Sequence, residues 1–236
     1  MAEKIDKQRE KELLHFCKKV NIKFKDLSLL EQAFHHRSLI NETKSGQNNE
    51  RLEFLGDSVL GVVTAAYLYK NLSNPEGDLA KIKSAVVSEK SLAPIALSLG
   101  IDKLIELGHG EELSGGRTKP AILADCMEAI IGAYYLDSGY KNTEIYVLNF
   151  IIPEIEKVLT NGLKDFKSKL QELSQQKFHV CPEYKLLKVS GPDHDKVFTV
   201  NVVIGENTYG PKTGKNKKEA EQSCAKLALE ILDRNN

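Results

Sequence analysis

NERLEFLGDSVLGVVTAAYLY, residues 49–69, sets Glu50, Glu53 and Asp57 in a run otherwise so apolar that it reads as a buried helix. AILADCMEAIIGAYYLD, residues 121–137, does the same with Asp125 and Glu128. A carboxylate withdrawn from water is costly unless it is paired or binds a cation. Arg51 is the one counter-charge these segments offer, so the missing partner reads as a metal ion.

Spacing supports this reading. Residues three, four or seven apart share a helix face, which stacks Glu50, Glu53 and Asp57 on one helix and Asp125 and Glu128 on the other. Packed together, the two helices would converge their acids. An all-oxygen set suits a hard cation, Mg²⁺ with Mn²⁺ as a substitute, and argues against zinc or copper. A di-iron bundle would need Glu-x-x-His where this chain has Asp-x-x-Glu.

The chain has 236 residues and a formal net charge of zero, which alone favours no nucleic acid. The balance is uneven, however: acidic residues outnumber basic ones up to Asn161, and basic outnumber acidic beyond it. A basic module is therefore hidden in the total. Cys17, Cys126, Cys181 and Cys224 are scattered, without the pairing of a zinc site or a disulfide framework, and fit a reducing compartment. The N-terminus lacks the apolar core of a signal peptide, and no stretch is expected to span a membrane, so a cytoplasmic location is expected.

From Asp6 to about Thr160 the pattern is helix after helix, with polar breaks from Asn41, Asn71, Gly108 and Asp137. Helices are expected at Glu10 to Val20, Leu27 to Phe34 and Ile145 to Leu159. Gly77 to Leu99 reads as one long pattern that Pro94 kinks or divides, and Pro153 is another kink candidate. The Gly108 to Gly116 loop reads as a mobile connection. His35 and His36 read as helix-end or surface groups, and Arg117 and Lys119 are placed to reach a phosphate.

The rhythm changes after residues 161–164, a short linker. From 165 to 234 the order is α-β-β-β-α: a helix at Asp165 to Gln176, strands at Glu183 to Val189, Val197 to Ile204 and Asn207 to Tyr209, and a helix at Asn216 to Leu232. Asn216 with Glu219 makes a capping-box start. Lys215, Lys217 and Lys218 cluster where a helix N-terminus presents free N–H groups, which is a phosphate site by physics. Gln171, Glu172 and Gln175 give the first helix a polar face for sugar hydroxyls, and His194 lies in the hairpin loop after Ser190. Three separated surfaces suit successive grooves of an A-form duplex.

NERLEFLGDS and ILADCMEAIIGAYYLD together resemble the signature pair of the bacterial ribonuclease III family, and DFKSKLQELSQ, PEYK, SGPDH, FTVNVVI and KKEAEQ resemble its double-stranded RNA-binding domain. The resemblance covers essentially the whole chain. It implies an all-α endonuclease domain over 6–160 and an α+β RNA-binding domain over 165–234. It also implies metal ligands at Glu53, Asp125 and Glu128, catalytic roles for Asp57 and Glu128, and secondary active-site acids at Glu50 and Glu76. Phe54 resembles an aromatic residue that inserts into a partner subunit, implying a homodimer. The expected activity is Mg²⁺-dependent cleavage of double-stranded RNA, leaving 5′-phosphate and 3′-hydroxyl ends with short 3′ overhangs. Expected substrates are ribosomal RNA precursors and structured mRNA or tRNA transcripts. No membrane and no small organic cofactor are expected. The tail departs from the family at Gly210-Pro211-Lys212-Thr213-Gly214 and at Asn216, where Gly-x-Gly and Ser are usual. Two alternatives stay open: a non-catalytic duplex-binding protein and a metal-dependent hydrolase of small phosphate esters.

Overall fold

The computed structural model describes residues 5–44, 46–160, 166–192 and 196–234, in two compact units, Met1–Thr160 and Asn161–Asn236. The linker expected at 161–164, Asp165 and His194 lie outside the described residues.

The first unit is helical. α1 (Lys7–Lys19) starts earlier than expected because Asp6 caps it, accepting from the N–H groups of Gln8 and Arg9. α2 (Leu27–Ala33) is capped by Asp26. α3 (Arg37–Thr43) is a short helix that the polar sequence from Asn41 concealed, capped by the His36 side chain. α4 (Glu50–Asn71) holds the first acidic run. The long pattern from Gly77 divides into α5 (Glu76–Val86) and α6 (Glu89–Leu99), and the break falls at Val87-Ser88, not at Pro94. Ser88 takes the extended backbone of an N-cap residue, while Pro94 is carried inside α6.

The expected mobile connection after Gly108 is structured. It contains α7 (His109–Leu113) and a 3-10 turn at Gly116–Thr118. Glu42 of α3 accepts from the N–H groups of His109 and Gly110, and the Ser38 hydroxyl accepts from that of Gly108. α8 (Pro120–Thr160) carries the second acidic run and changes direction at Gly139, whose φ of 76° and ψ of 171° suit glycine alone, whereas Pro153 stays within the helix.

α8 is the centre of this unit, packing against α2, α4, α5 and α6 around a core that includes Leu30, Phe34, Leu60, Leu123 and Met127. The α4–α8 crossing is unusually close. A Cβ on Gly56 would lie 1.8 Å from the Glu128 carbonyl oxygen, and one on Gly132 would lie 2.1 Å from that of Leu52. These two glycines let backbone meet backbone, one turn from the acids on each helix. α4 does meet the length and hydropathy of a membrane span, against the sequence expectation. Yet Leu52, Val59, Leu60, Val63 and Leu68 are buried within the unit, the pattern of a core helix.

The second unit runs α9 (Phe166–Phe178), β1 (Glu183–Ser190), β2 (Val197–Ile204), β3 (Asn207–Gly214) and α10 (Lys217–Arg234), with an antiparallel sheet in the order β1-β2-β3. Leu170 of α9, Val202 and Ile204 of β2, and Cys224, Ala225, Ala228 and Leu232 of α10 form its core. β3 extends five residues beyond the expected end at Tyr209. Pro211 is carried within this edge strand, and a register shift between Val200 and Val202 absorbs the extra residue.

Candidate functional site

The close crossing of α4 and α8 decides which acids meet. One carboxylate oxygen from each of Glu53, Asp125 and Glu128 lies within 4.8 Å of the other two. Ligand oxygens around an octahedral Mg²⁺ sit about 3 to 4 Å apart, so small side-chain adjustments would close this set on a hard cation. The set contains no nitrogen or sulfur.

Its electrostatics fit the same conclusion. Burial, then the neighbouring charges of Asp57, Asp125 and Glu53, push the Glu128 carboxyl up to about 8. Burial, then Asp125 and Glu50, raise Glu53, while burial, then Glu89, raise Asp125. Like charges held together, which Arg37 offsets only in part at Glu53 and Asp125, are what a divalent cation relieves.

The acids are not buried to the depth that their apolar surroundings suggest. Glu53, Asp125 and Glu128 are half-buried, whereas Glu50 and Asp57 are exposed. Asp57 lies outside the converging trio and acts on Glu128 and Glu53 through its charge. Glu76 is exposed in the first turn of α5. A cleft of about 400 Å³ opens beside the trio, lined by Glu50, Glu53 and Asp125 and by His36, Arg37 and Lys119.

The last three residues come from segments far apart in sequence. Asn49, buried at the start of α4, donates through its side-chain amide to the Ala33 carbonyl and through its N–H to that of His35. These bonds staple residues 33–37 to the acidic helix. His36 is half-buried, and burial lowers its proton affinity; its Nδ1 lies 2.8 Å from Ser38 Oγ. Lys119 donates to Glu111 (2.5 Å) and Ser114 (2.9 Å). Arg117 spends its guanidinium on Glu112 and on the Asp102 and Ile105 carbonyls, a structural use that removes it as a phosphate ligand.

Glu31, His35 and Glu106 form a second group of ligand-type side chains. There Arg9 lies 2.7 Å from Glu31 and 3.6 Å from Glu106, so the compensating charge comes from the protein. This group is an ion-pair cluster that ties α1 to α2.

In the second unit, Gln171, Glu172 and Gln175 are exposed on α9, and Lys215, Lys217 and Lys218 are exposed at the start of α10. The Glu219 N–H donates to Asn216 Oδ1, and the Lys215 N–H donates to the Glu219 carboxylate, so the expected capping box forms one residue further out. On α4, Phe54, Val62 and Tyr69 are 77%, 57% and 82% exposed along one face. His36 and Arg37 are what spacing arguments miss, because tertiary bonds bring them to the acids. The adjacent pair of histidines before an arginine was the one available signal.

Residues 26–155 match the family model described as ribonuclease-III-like, and residues 166–232 match the double-stranded RNA binding motif. The chain is 55% identical over 231 residues to Ribonuclease 3 of Treponema denticola, covering 97% of this chain and 94% of that protein. It is 44% identical over 229 residues to Ribonuclease 3 of Borreliella burgdorferi, covering 96% and 94%. The crystal structure of the nuclease domain of ribonuclease III from Campylobacter jejuni, 42% identical, aligns with a TM-score of 0.56 over 61% of this chain and 95% of that one. A second structure of that domain, at 43% identity, 59% and 95% coverage and a TM-score of 0.55, is described as flexible in a region involved in dimer formation.

Proposed function

The chain belongs to the ribonuclease III family of endoribonucleases, and from that premise we propose that it cuts double-stranded RNA in a Mg²⁺-dependent reaction. The observation that carries the reading is the convergence of Glu53, Asp125 and Glu128 in a chain that also holds a double-stranded RNA-binding domain.

Glu53, Asp125 and Glu128 would hold the cation. When bound, Mg²⁺ supplies charge neutralisation at the phosphoryl oxygens, an activated water and a stabilised leaving alkoxide. The protein's part is to present three carboxylates already gathered by the helix crossing. Glu128, whose carboxyl is held up to about 8 by burial and neighbouring acids, would give up its proton in holding the cation. Asp57, exposed beside the trio, orients water or carries a proton. Lys215, Lys217 and Lys218 grip phosphates, and Gln171, Glu172 and Gln175 meet sugar hydroxyls. The products are 5′-phosphate and 3′-hydroxyl ends with short 3′ overhangs, made from ribosomal RNA precursors and structured mRNA or tRNA transcripts.

The working form is a homodimer in the cytoplasm. The stripe of Phe54, Val62 and Tyr69 on α4 supports the dimer, because exposed aromatic surface of this kind is unfavourable in water and favourable at an interface.

The test is cleavage of a long perfect RNA duplex with Mg²⁺, with Ca²⁺ and with chelator, beside single-stranded RNA and nucleotides. Cutting of the duplex alone, dependent on Mg²⁺, is expected. Glu128→Gln should abolish cutting and leave duplex binding nearly intact; equal loss of both would sink the assigned role. Binding without cutting under every condition would favour the non-catalytic binder, and cutting of nucleotides alone the phosphate-ester hydrolase.

A further inference from the structure

We propose that Arg37 grips a substrate phosphate at the cleft, and that Glu50 serves by holding Arg37 rather than by ligating the cation. This rests on the duplex-cleaving reading above.

A phosphodiester entering a cleft walled by Glu50, Glu53 and Asp125 meets repulsion unless a cation faces it. Among the described residues lining the cleft, the cationic candidates are His36, Arg37 and Lys119. Lys119 is committed to Glu111 and Ser114. His36 is disfavoured as a cation by its burial, and its Nδ1 is taken by Ser38. Arg37 differs from both. Its side chain is 65% exposed, and its one ion pair among the described residues is Nη1 to Glu50 Oε1 at 3.5 Å. The other edge of its planar fork is left to bind an anion in the two-point manner that suits phosphate.

Arg37 also faces the metal-binding acids, since its charge counts among the influences lowering the carboxyls of both Glu53 and Asp125. Its backbone position is fixed: the His36 N–H donates to the Glu106 carbonyl (3.1 Å), and the His35 carbonyl accepts from Asn49 (2.9 Å). A rigid base with an exposed, aimed head is what a phosphate grip needs.

The geometry of Glu50 argues against ligation. Oε1 faces Arg37, Oε2 accepts from Asn48 Nδ2 at 2.8 Å, and Glu50 stands outside the trio of converging carboxylates. Glu50 is thus a positioning residue, acting through Arg37.

The experiment compares wild type, Arg37→Ala, Arg37→Lys, Glu50→Gln and the Arg37→Ala/Glu50→Gln pair as full-length proteins. Three readouts are taken: KM and kcat on duplex RNA with Mg²⁺, the salt dependence of KM, and Mn²⁺ binding to the RNA-free protein by calorimetry. Arg37→Ala should lower kcat/KM about 10- to 100-fold, mostly through KM, and reduce the salt slope by about one. Mn²⁺ affinity should hold or tighten, because a nearby positive charge is gone. Arg37→Lys should recover part of the loss. Glu50→Gln should lose less than Arg37→Ala, and the pair should be no worse than Arg37→Ala alone. Tenfold weaker Mn²⁺ binding in Glu50→Gln, additive losses in the pair, or wild-type kinetics in Arg37→Ala would each overturn the proposal. Inactive wild type would instead refute the duplex-cleaving reading, before any variant is compared.

Discussion

Gly132→Ala tests whether the α4–α8 crossing sets the spacing of the acids. The added Cβ would lie 2.1 Å from the Leu52 carbonyl oxygen and 3.0 Å from its carbon, both backbone atoms that cannot rotate away. Ordinary contacts need about 3.5 Å, so the two helices must part by roughly 1 Å. Overpacking of this kind costs about 1–3 kcal/mol, and the better helix propensity of alanine returns about 1 kcal/mol. The net loss is then up to about 2 kcal/mol, a Tm lower by up to roughly 8 °C. The second effect falls on the site. Glu53 is one residue from Leu52, and moving it about 1 Å from Asp125 and Glu128 breaks the near-ideal geometry a small hard cation demands. Mn²⁺ affinity should fall at least about tenfold, with cleavage lost in parallel and duplex binding unchanged.

Gly61→Ala is the matched control on α4, because its Cβ would meet nothing nearer than the end of the Lys83 side chain at 3.9 Å. That variant should keep wild-type Mn²⁺ affinity and gain up to about 1 kcal/mol of stability. Scanning calorimetry and Mn²⁺ titration read both variants. A Gly132→Ala protein that melts lower but binds Mn²⁺ normally would refute the spacing argument, and one that melts and binds as wild type would refute the close contact itself.

Metal affinity should depend on pH through Glu128, whose folded carboxyl is raised to about 8. A raised carboxyl holds its proton in the metal-free protein at neutral pH, so Mn²⁺ affinity should rise by up to about tenfold per unit as pH increases toward 8, then level off. The same shift means that metal-free stability falls as pH rises from the unfolded carboxylate range toward 8, and melting at pH 5, 7 and 8.5 reads that sign directly. Phe54→Asp should shift sedimentation from dimer to monomer, since the substituted ring is 77% exposed on α4; an unchanged dimer would place the interface elsewhere. Lys217→Ala with Lys218→Ala should weaken duplex binding and reduce its salt slope by about two, and an unchanged slope would take these lysines off the phosphates.

The acids were legible in sequence because both requirements were local. Helical spacing put Glu53 on α4 and Asp125 with Glu128 on α8, and the apolar residues around them fixed the packing faces. What spacing could not rank was depth. Glu50, Glu53 and Asp57 share a face within a helix period, but only Glu53 sits where the Gly56–Gly132 contact draws α4 onto α8. That choice belongs to the pair of helices, not to either one. Lys119 was expected to reach a phosphate, but Arg37, on the same cationic side of the cleft, was hidden for the same reason. Arg37 and Lys119 are brought to the acids by Asn49, by the His35–Glu106 bridge and by the Glu42 and Ser38 bonds to the 108–110 segment, none of which leaves a periodic trace.

The misread segments share a related cause. Residues 108–118 look like a loop by composition, yet become ordered because Glu42 and Ser38 satisfy their backbone donors and Arg117 satisfies the carbonyls of Asp102 and Ile105. β3 likewise runs past Tyr209, the expected end, because its pairing with β2 continues to Gly214 across a register shift. In each case the decisive partner comes from another segment: short-range pattern identifies the groups that can bind a cation, and long-range hydrogen bonds decide which charged groups stand beside it. A variant that cuts those bonds while sparing the acids should therefore separate the two. Ser38→Ala removes the acceptor for the Gly108 N–H and the partner of His36 Nδ1 without touching Glu53, Asp125 or Glu128. It should leave Mn²⁺ affinity intact and raise KM for duplex RNA. Loss of Mn²⁺ binding in that variant would mean that the cationic wall and the carboxylate trio form one indivisible site.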